Sequence, residues 1–193
     1  MSISYKKQTD GIASSQKYFT QDEILAILSV LSEPEDILLA RVGIDLGARV
    51  GEMVNLKWAD LDFDRKVVTL WDEKKDKTRY CVLTDPTWEL LRVHSEWVDK
   101  RVEKHVFPFS AKTADRKVKR WAHDAKIARR VRYHMLRHTH VVQSRRAGRD
   151  WNWLSQQTGD TVATLISEYG QLSIEDRQRI GNESPIVREG EAR

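Results

Sequence analysis

The spacing of apolar residues changes twice along this chain, and the changes divide it into stretches. Residues 1–19 are polar and without a period, as expected of an arm or linker. Thr20-Gln-Asp-Glu23 is a capping box. It opens a run in which Ile24, Leu25, Ile27, Leu28 and Leu31 recur at helical spacing until Pro34 stops it. A second helix is expected over about 35–49, carried by Ile37, Leu38, Ala40, Val42, Ile44 and Leu46 and ending near Gly47. Between Trp58 and Thr84 the period shortens. Asp60-Leu-Asp62-Phe-Asp64, Val67-Val-Thr-Leu-Trp71 and Arg79-Tyr-Cys-Val-Leu83 predict three strands, with the charged turn Asp72–Thr78 between the last two. After Pro86 helices are expected over about 87–104, 113–128, 135–148, 150–157 and 161–170, with a charged helix or tail beyond Ser173. The fold class that follows is mainly α with a small three-stranded antiparallel sheet (α+β), organised as an arm (1–19), one domain (20–172) and a tail (173–193).

At 193 residues and 40% hydrophobic content the chain is long enough for one well-buried core. It has no apolar run of membrane-spanning length, and its first residues, Met1-Ser-Ile-Ser-Tyr-Lys-Lys, lack the apolar stretch of a secretion signal, so a cytoplasmic protein without a membrane partner is expected. The single cysteine, Cys81, lies in the apolar stretch Tyr80–Leu83 and is expected to be a small core residue, not a nucleophile. Charge changes the picture more. The net value of +4 conceals a segment, Asp99–Arg149, with 16 Lys/Arg against 4 Asp/Glu, which leaves the remainder at −8. Such a block suits a polyanion, whose condensed counterions are released as cations neutralise phosphates. Lys117, Lys119, Arg120, Arg129, Arg130 and Arg132 are the residues expected to make those contacts.

The basic block leads into His134-Met-Leu-Arg137-His138-Thr139. An isolated Tyr169 follows 32 residues after Arg137, and Gly47-Ala-Arg49-Val-Gly-Glu52 lies upstream. Two arginines offer permanently charged forks matched to phosphate oxygens, a histidine can move a proton near neutral pH, and a phenol can act as nucleophile and later as leaving group. Taken singly, Arg49 and Arg137 could be salt-bridge partners and His134 a capping residue. Their combination favours a site that breaks a DNA strand without a metal.

In these residues the chain resembles the catalytic domain of the tyrosine recombinase, or phage integrase, family, from about Thr20 to Leu172. Gly47-Ala48-Arg49-Val50-Gly51-Glu52 is similar to the family's Gly-Leu-Arg-x-x-Glu, with Ala for Leu. Leu56-Lys-Trp58-Ala-Asp60-Leu-Asp62 resembles the stretch leading into its sheet, His134–Thr139 matches its His-x-Leu-Arg-His-Thr, and Tyr169 falls at its nucleophile. The resemblance implies cleavage through a 3′-phosphotyrosine with a free 5′-hydroxyl, and resealing without a nucleotide cofactor. It implies that Arg49 and Arg137 clamp non-bridging oxygens, that His134 is the general base, and that a lysine between the second and third strands protonates the leaving oxygen. Alignment backwards from Val82 gives Lys75 for that lysine, with Lys77 as the alternative. Glu52 would orient Arg49, and His138 would pack or hydrogen-bond near the phosphate. Double-stranded DNA is the implied partner, bound by a monomer that assembles into a tetramer on paired sites, with the tail suitably placed to dock on a neighbour.

Two departures qualify this. Where the family has Gly-His or Gly-Trp the chain has Gly159-Asp160, and an ionised aspartate repels a phosphate. Asp160 is therefore expected to cap the helix that follows. The family's N-terminal clamp domain also has no counterpart in 19 polar residues, so the sequence reads either as an excised catalytic domain or as a minimal enzyme. A type IB topoisomerase-like activity and a catalytically weak DNA-binding regulator remain the alternatives. A metal nuclease is least favoured, because His134, His138 and His140 are flanked by arginines.

Overall fold

The computed structural model describes residues 17–72, 76–100, 102–170 and Gln178. The Thr20 capping box forms as the sequence requires, with Glu23 N–H donating to Thr20 Oγ1 (3.2 Å) and Thr20 N–H to Glu23 Oε2 (2.8 Å), and it starts α1 (Gln21–Val30). Tyr18 and Phe19, at the end of the stretch expected as an arm, are not loose. Phe19 is fully buried, and its N–H donates to Thr139 Oγ1 (2.8 Å), which ties the chain entry to the helix that carries the histidine motif.

Pro34 supplies the pre-set φ of a first turn and starts α2 (Pro34–Leu46), whose apolar residues Leu38, Leu39, Ala40, Val42 and Leu46 are all buried. The helix ends three residues earlier than expected. Gly47 adopts a left-handed φ of 57°, and a Cβ there would meet the His140 ring at 2.6 Å, so only glycine fits. The chain then re-enters a helix the spacing did not predict, α3 (Val50–Asn55), and a 3-10 turn at Trp58–Asp60 leads to the sheet.

That sheet is the expected one, β1 (Leu61–Asp62), β2 (Val67–Asp72) and β3 (Lys77–Cys81), antiparallel in sequence order. Register sets what its faces carry. Val68 pairs with Cys81, Leu70 with Arg79 and Asp72 with Lys77; the alternate pairs Thr69–Tyr80 and Trp71–Thr78 turn the exposed Trp71 and Tyr80 to the other face. Val68, Leu70, Cys81 and Asp72 are buried, so the inner face mixes core residues with charge.

The remaining helices are α4 (Asp85–Glu96), α5 (Ala111–Asp124), α6 (His134–Arg146), α7 (Trp151–Thr158) and α8 (Val162–Tyr169). α4 stops eight residues short of expectation, and Trp97 beyond it is exposed. α5 is fixed to α2 through Asp36, whose carboxylate is 2% exposed and accepts from Lys117 Nζ (2.5 Å), Trp121 Nε1 (2.8 Å) and Arg120. Burial would raise that carboxyl, but these donors overcome it and hold Asp36 below its usual range. α7 and α8 share a small second core of Val141, Leu154 and Leu165, with Trp151, Trp153 and Tyr169 packed on it. Leu165 thereby anchors the helix that ends in Tyr169.

Candidate active site

The glycine turn after α2 gives Arg49 its place. With Ala48 buried, Arg49 stands just before the first turn of α3, its N–H donating to Glu52 Oε2 (2.7 Å). Its guanidinium, 37% exposed, donates to Asp160 Oδ1 (2.6 Å), Asp72 Oδ2 (3.2 Å) and Glu52 Oε1 (3.4 Å). Arg137 approaches from α6 with a side chain only 2% exposed. It is fixed by bonds to the carbonyls of Gly47 (2.6 Å) and Thr158 (2.9 Å), and it donates to Asp160 Oδ2 (2.5 Å). One carboxylate thus bridges the two arginines, one oxygen to each.

This corrects the expectation for Asp160. The cap of α8 is Thr161, whose hydroxyl accepts from Thr164 N–H (3.1 Å), while the left-handed Gly159 (φ 75°) turns Asp160 towards the arginines. Two guanidinium charges outcompete a backbone N–H that the next residue can satisfy equally well. Glu52 is also held differently from expectation. Its principal partner is Arg79 on β3, in a two-pronged pair of 2.7 and 2.8 Å, and Arg79 Nε donates to the Gln157 carbonyl (3.1 Å). Burial acts to raise the Glu52 carboxyl, but the Arg79 bonds and charge, with help from Arg49, keep it below the usual range. Arg79 and Asp72 are site residues that the motifs did not reveal. Three guanidinium groups, Arg49, Arg79 and Arg137, therefore face three carboxylates, Glu52, Asp72 and Asp160.

Tyr169, half-buried at the end of α8, meets α6 through its hydroxyl, 2.5 Å from His138 Nδ1. Burial is the main cause that pushes the phenol above its usual value, with Glu168 adding to it. Burial also takes the His138 imidazole down to about 4, with His134, Lys17 and Arg137 pushing the same way. His134 stands edge-on to His138, ring centroids 4.6 Å apart; desolvation of its ring by the surrounding side chains, and then Arg137, lower it as well.

The basic residues divide into two groups. Lys117 is bonded to Asp36 and Glu35, Arg120 to Asp36, Lys119 to Asp115 (2.6 Å), and Arg129 to Glu23 and to the Tyr18 carbonyl (2.7 Å), so these four are paired within the chain. Arg130 and Arg132 are exposed. Lys75 lies outside the described residues, as does the tail apart from Gln178; Lys77 is exposed at the start of β3, across from Asp72. No helix among the described residues is long and apolar enough to cross a membrane.

Known proteins share this arrangement of helices and sheet. A tyrosine recombinase XerA of Saccharolobus solfataricus is 26% identical over 160 residues, which are 83% of this chain and 54% of that protein, so the chain spans about half the relative's length. A crystal structure of XerA recombinase superposes with a TM-score of 0.76 at 23% identity, over 89% of this chain and 64% of that one. XerH site-specific recombinase, solved bound to its difH substrate in a pre-cleavage complex, superposes at 0.68 with 19% identity, over 86% of this chain and 53% of that one. The model of the phage integrase family matches residues 17–174, which take in both arginine motifs, the sheet and Tyr169, and the chain belongs to that family.

Proposed function

We propose that the chain is the strand-cleaving unit of a site-specific DNA recombinase or integrase, which breaks and reseals duplex DNA through a 3′-phosphotyrosine on Tyr169. The observation that carries this is the shared grip of Arg49 and Arg137 on a single carboxylate. Two guanidinium groups aimed at the two oxygens of one carboxylate are equally aimed at the two non-bridging oxygens of a phosphodiester. As the phosphorus becomes pentacoordinate those oxygens gain charge, and fixed donors stabilise that state more than the ground state. In this reading the arginines do the work of a metal, His134 stands beside the phosphate, and Lys75, or Lys77 in its place, protonates the departing 5′-oxygen. XerH was solved bound to its difH substrate, and the Tn1549 transposon integrase, which shares the fold, in complex with a circular intermediate DNA, which supports double-stranded DNA as the partner here. Exchange between two duplexes implies a tetramer of chains on paired sites, in the cytoplasm.

Asp160 favours a second reading. Its carboxylate occupies the seat the phosphate needs, so DNA must displace it, and a chain that failed to do so would bind DNA without cutting it. One experiment separates the readings. A pool of nicked duplexes of randomised sequence, designed so that the cleaved end diffuses away, is incubated with the chain and denatured. The recombinase reading expects a covalent protein–DNA band that Tyr169→Phe abolishes while non-covalent binding persists. Duplex binding with no covalent band from the unaltered chain would establish the regulator instead. Relaxation of supercoiled plasmid without strand exchange between duplexes would indicate the topoisomerase-like activity.

A further inference from the structure

The family motif directs attention to His134, yet the histidine in contact with the Tyr169 hydroxyl is His138, at 2.5 Å through Nδ1, with the rings 5.5 Å apart. His134 is the more exposed of the two, and its ring stands edge-on to His138 with the centroids 4.6 Å apart. Building on the cleavage reading above, we propose that His138 is a catalytic residue, whose Nδ1 takes the phenolic proton as Tyr169 Oη attacks the phosphorus. The Oη–H bond breaks and its proton goes to Nδ1; the oxygen's electron pair forms the Oη–P bond; the P–O5′ pair leaves with the 5′-oxygen, which takes a proton from the lysine assigned above. On resealing, the imidazolium returns its proton to the departing phenolate.

The surroundings suit an acceptor. An imidazole that accepts at Nδ1 carries its hydrogen on Nε2 and is neutral. The charged and titratable groups around it are His134 and Arg137 on α6, Lys17 from the segment before α1, and Tyr169 on α8 with Glu168 beside it. Burial above all, then His134, Lys17 and Arg137, disfavour a second proton, so the base is ready at neutral pH. Arrival of a negatively charged phosphate partly reverses that bias, which helps the imidazole to hold the proton once transferred. His134, one helical turn away, then supports the ring and not the proton.

The test uses the full chain and a nicked duplex recovered from the covalent band. His138→Gln keeps a polar contact with the phenol but cannot take up a proton. It is expected to slow adduct formation roughly 100-fold or more, with duplex affinity unchanged and without the fall in rate that the unaltered chain shows as pH drops. A 5′-bridging phosphorothiolate, which leaves without a proton, does not restore the variant, whereas added imidazole partly restores His138→Ala. Adduct formation by His138→Gln within about threefold of the unaltered chain, or full rescue by the phosphorothiolate, overturns the proposal and returns the role to His134. A readout independent of cleavage is ¹⁵N NMR of the histidines. His138 is expected with its hydrogen on Nε2 and an Nδ1 resonance that moves in Tyr169→Phe; a hydrogen on Nδ1 would overturn the proposal whether or not the variants fold. Absence of any adduct from the unaltered chain withdraws the cleavage reading and the catalytic role with it, whereas an adduct that His138→Gln forms normally removes only the role.

Discussion

Asp160 is one side chain with two competing consequences. It neutralises Arg137, which is almost wholly buried, and on the proposed reading it fills the place of a phosphate. Removing a partner from a buried charge pair is strongly destabilising, but Asp160 itself is 17% exposed and Arg137 keeps two carbonyl acceptors. Asp160→Asn is therefore expected to cost about 2 kcal/mol and to lower the melting temperature by roughly 4–8 °C. Added phosphate or orthovanadate should restore much of that loss in the variant and do little for the unaltered chain, because only the variant has a vacant anion seat. Thermal shift assays with and without anion decide it; an unchanged melting temperature with no anion response would show that Asp160 does not control the seat. The sequence indicated that something was unusual here, since Gly159-Asp160 stands where a phosphate donor was expected. It could not show which way the carboxylate turned, because that depends on Thr161 taking the cap.

Between elements, the structure changes what the basic block means. Counting charge along Asp99–Arg149 could not distinguish a lysine that faces solvent from one that meets an acid about eighty residues away, and Lys117 is the second kind. Asp36→Ala would leave Lys117 with Glu35 alone and the buried Trp121 N–H without its acceptor, and it is expected to cost about 3 kcal/mol in denaturant titrations with little effect on DNA affinity. Arg130→Ala and Arg132→Ala should do the reverse, weakening duplex binding and each lowering its salt dependence by about one phosphate contact, with stability nearly constant. Equal salt slopes for the unaltered chain and both variants would contradict this division. Helical spacing located the long helices because one apolar face is enough to mark them. It missed α3, whose six residues contain one buried side chain, Met53, and it overran α4, where Val98 and Val102 continued an apolar pattern without a partner to bury Trp97. Arg79 and Asp72 were within reach: they share strand parity with Val68, Leu70 and Cys81, and a charge on the buried face of a strand calls for a partner.

On the scale of the whole molecule, the buried histidines and carboxylates act in the same direction. Burial takes the His140 imidazole down to about 4, against the Ile44 carbonyl bond, so between about pH 6.5 and 4 the unfolded chain binds a proton that the folded chain refuses. Stability is complete above that window and falls as pH falls through it, by about 2 kcal/mol between pH 7 and 5 from His140 alone. Glu52 and Asp36, held below their usual range, add their contribution above the ordinary carboxylate value and lose it as pH falls further. Unfolding titrations at pH 7 and 5 should show this slope; equal stability at the two values would mean that His140 is not buried neutral. The class of fold was legible because order and spacing of a few motifs were enough to identify it, whereas the charge balance of the site emerges only when five elements meet. On the proposed reading Tyr169 becomes covalently joined to DNA. That linkage is tested most directly by digesting the trapped protein–DNA adduct with protease and nuclease and sequencing the modified peptide by mass spectrometry. The expected result is a nucleotide linked through its 3′-phosphate to Tyr169; linkage to any other residue, or to none, would contradict it.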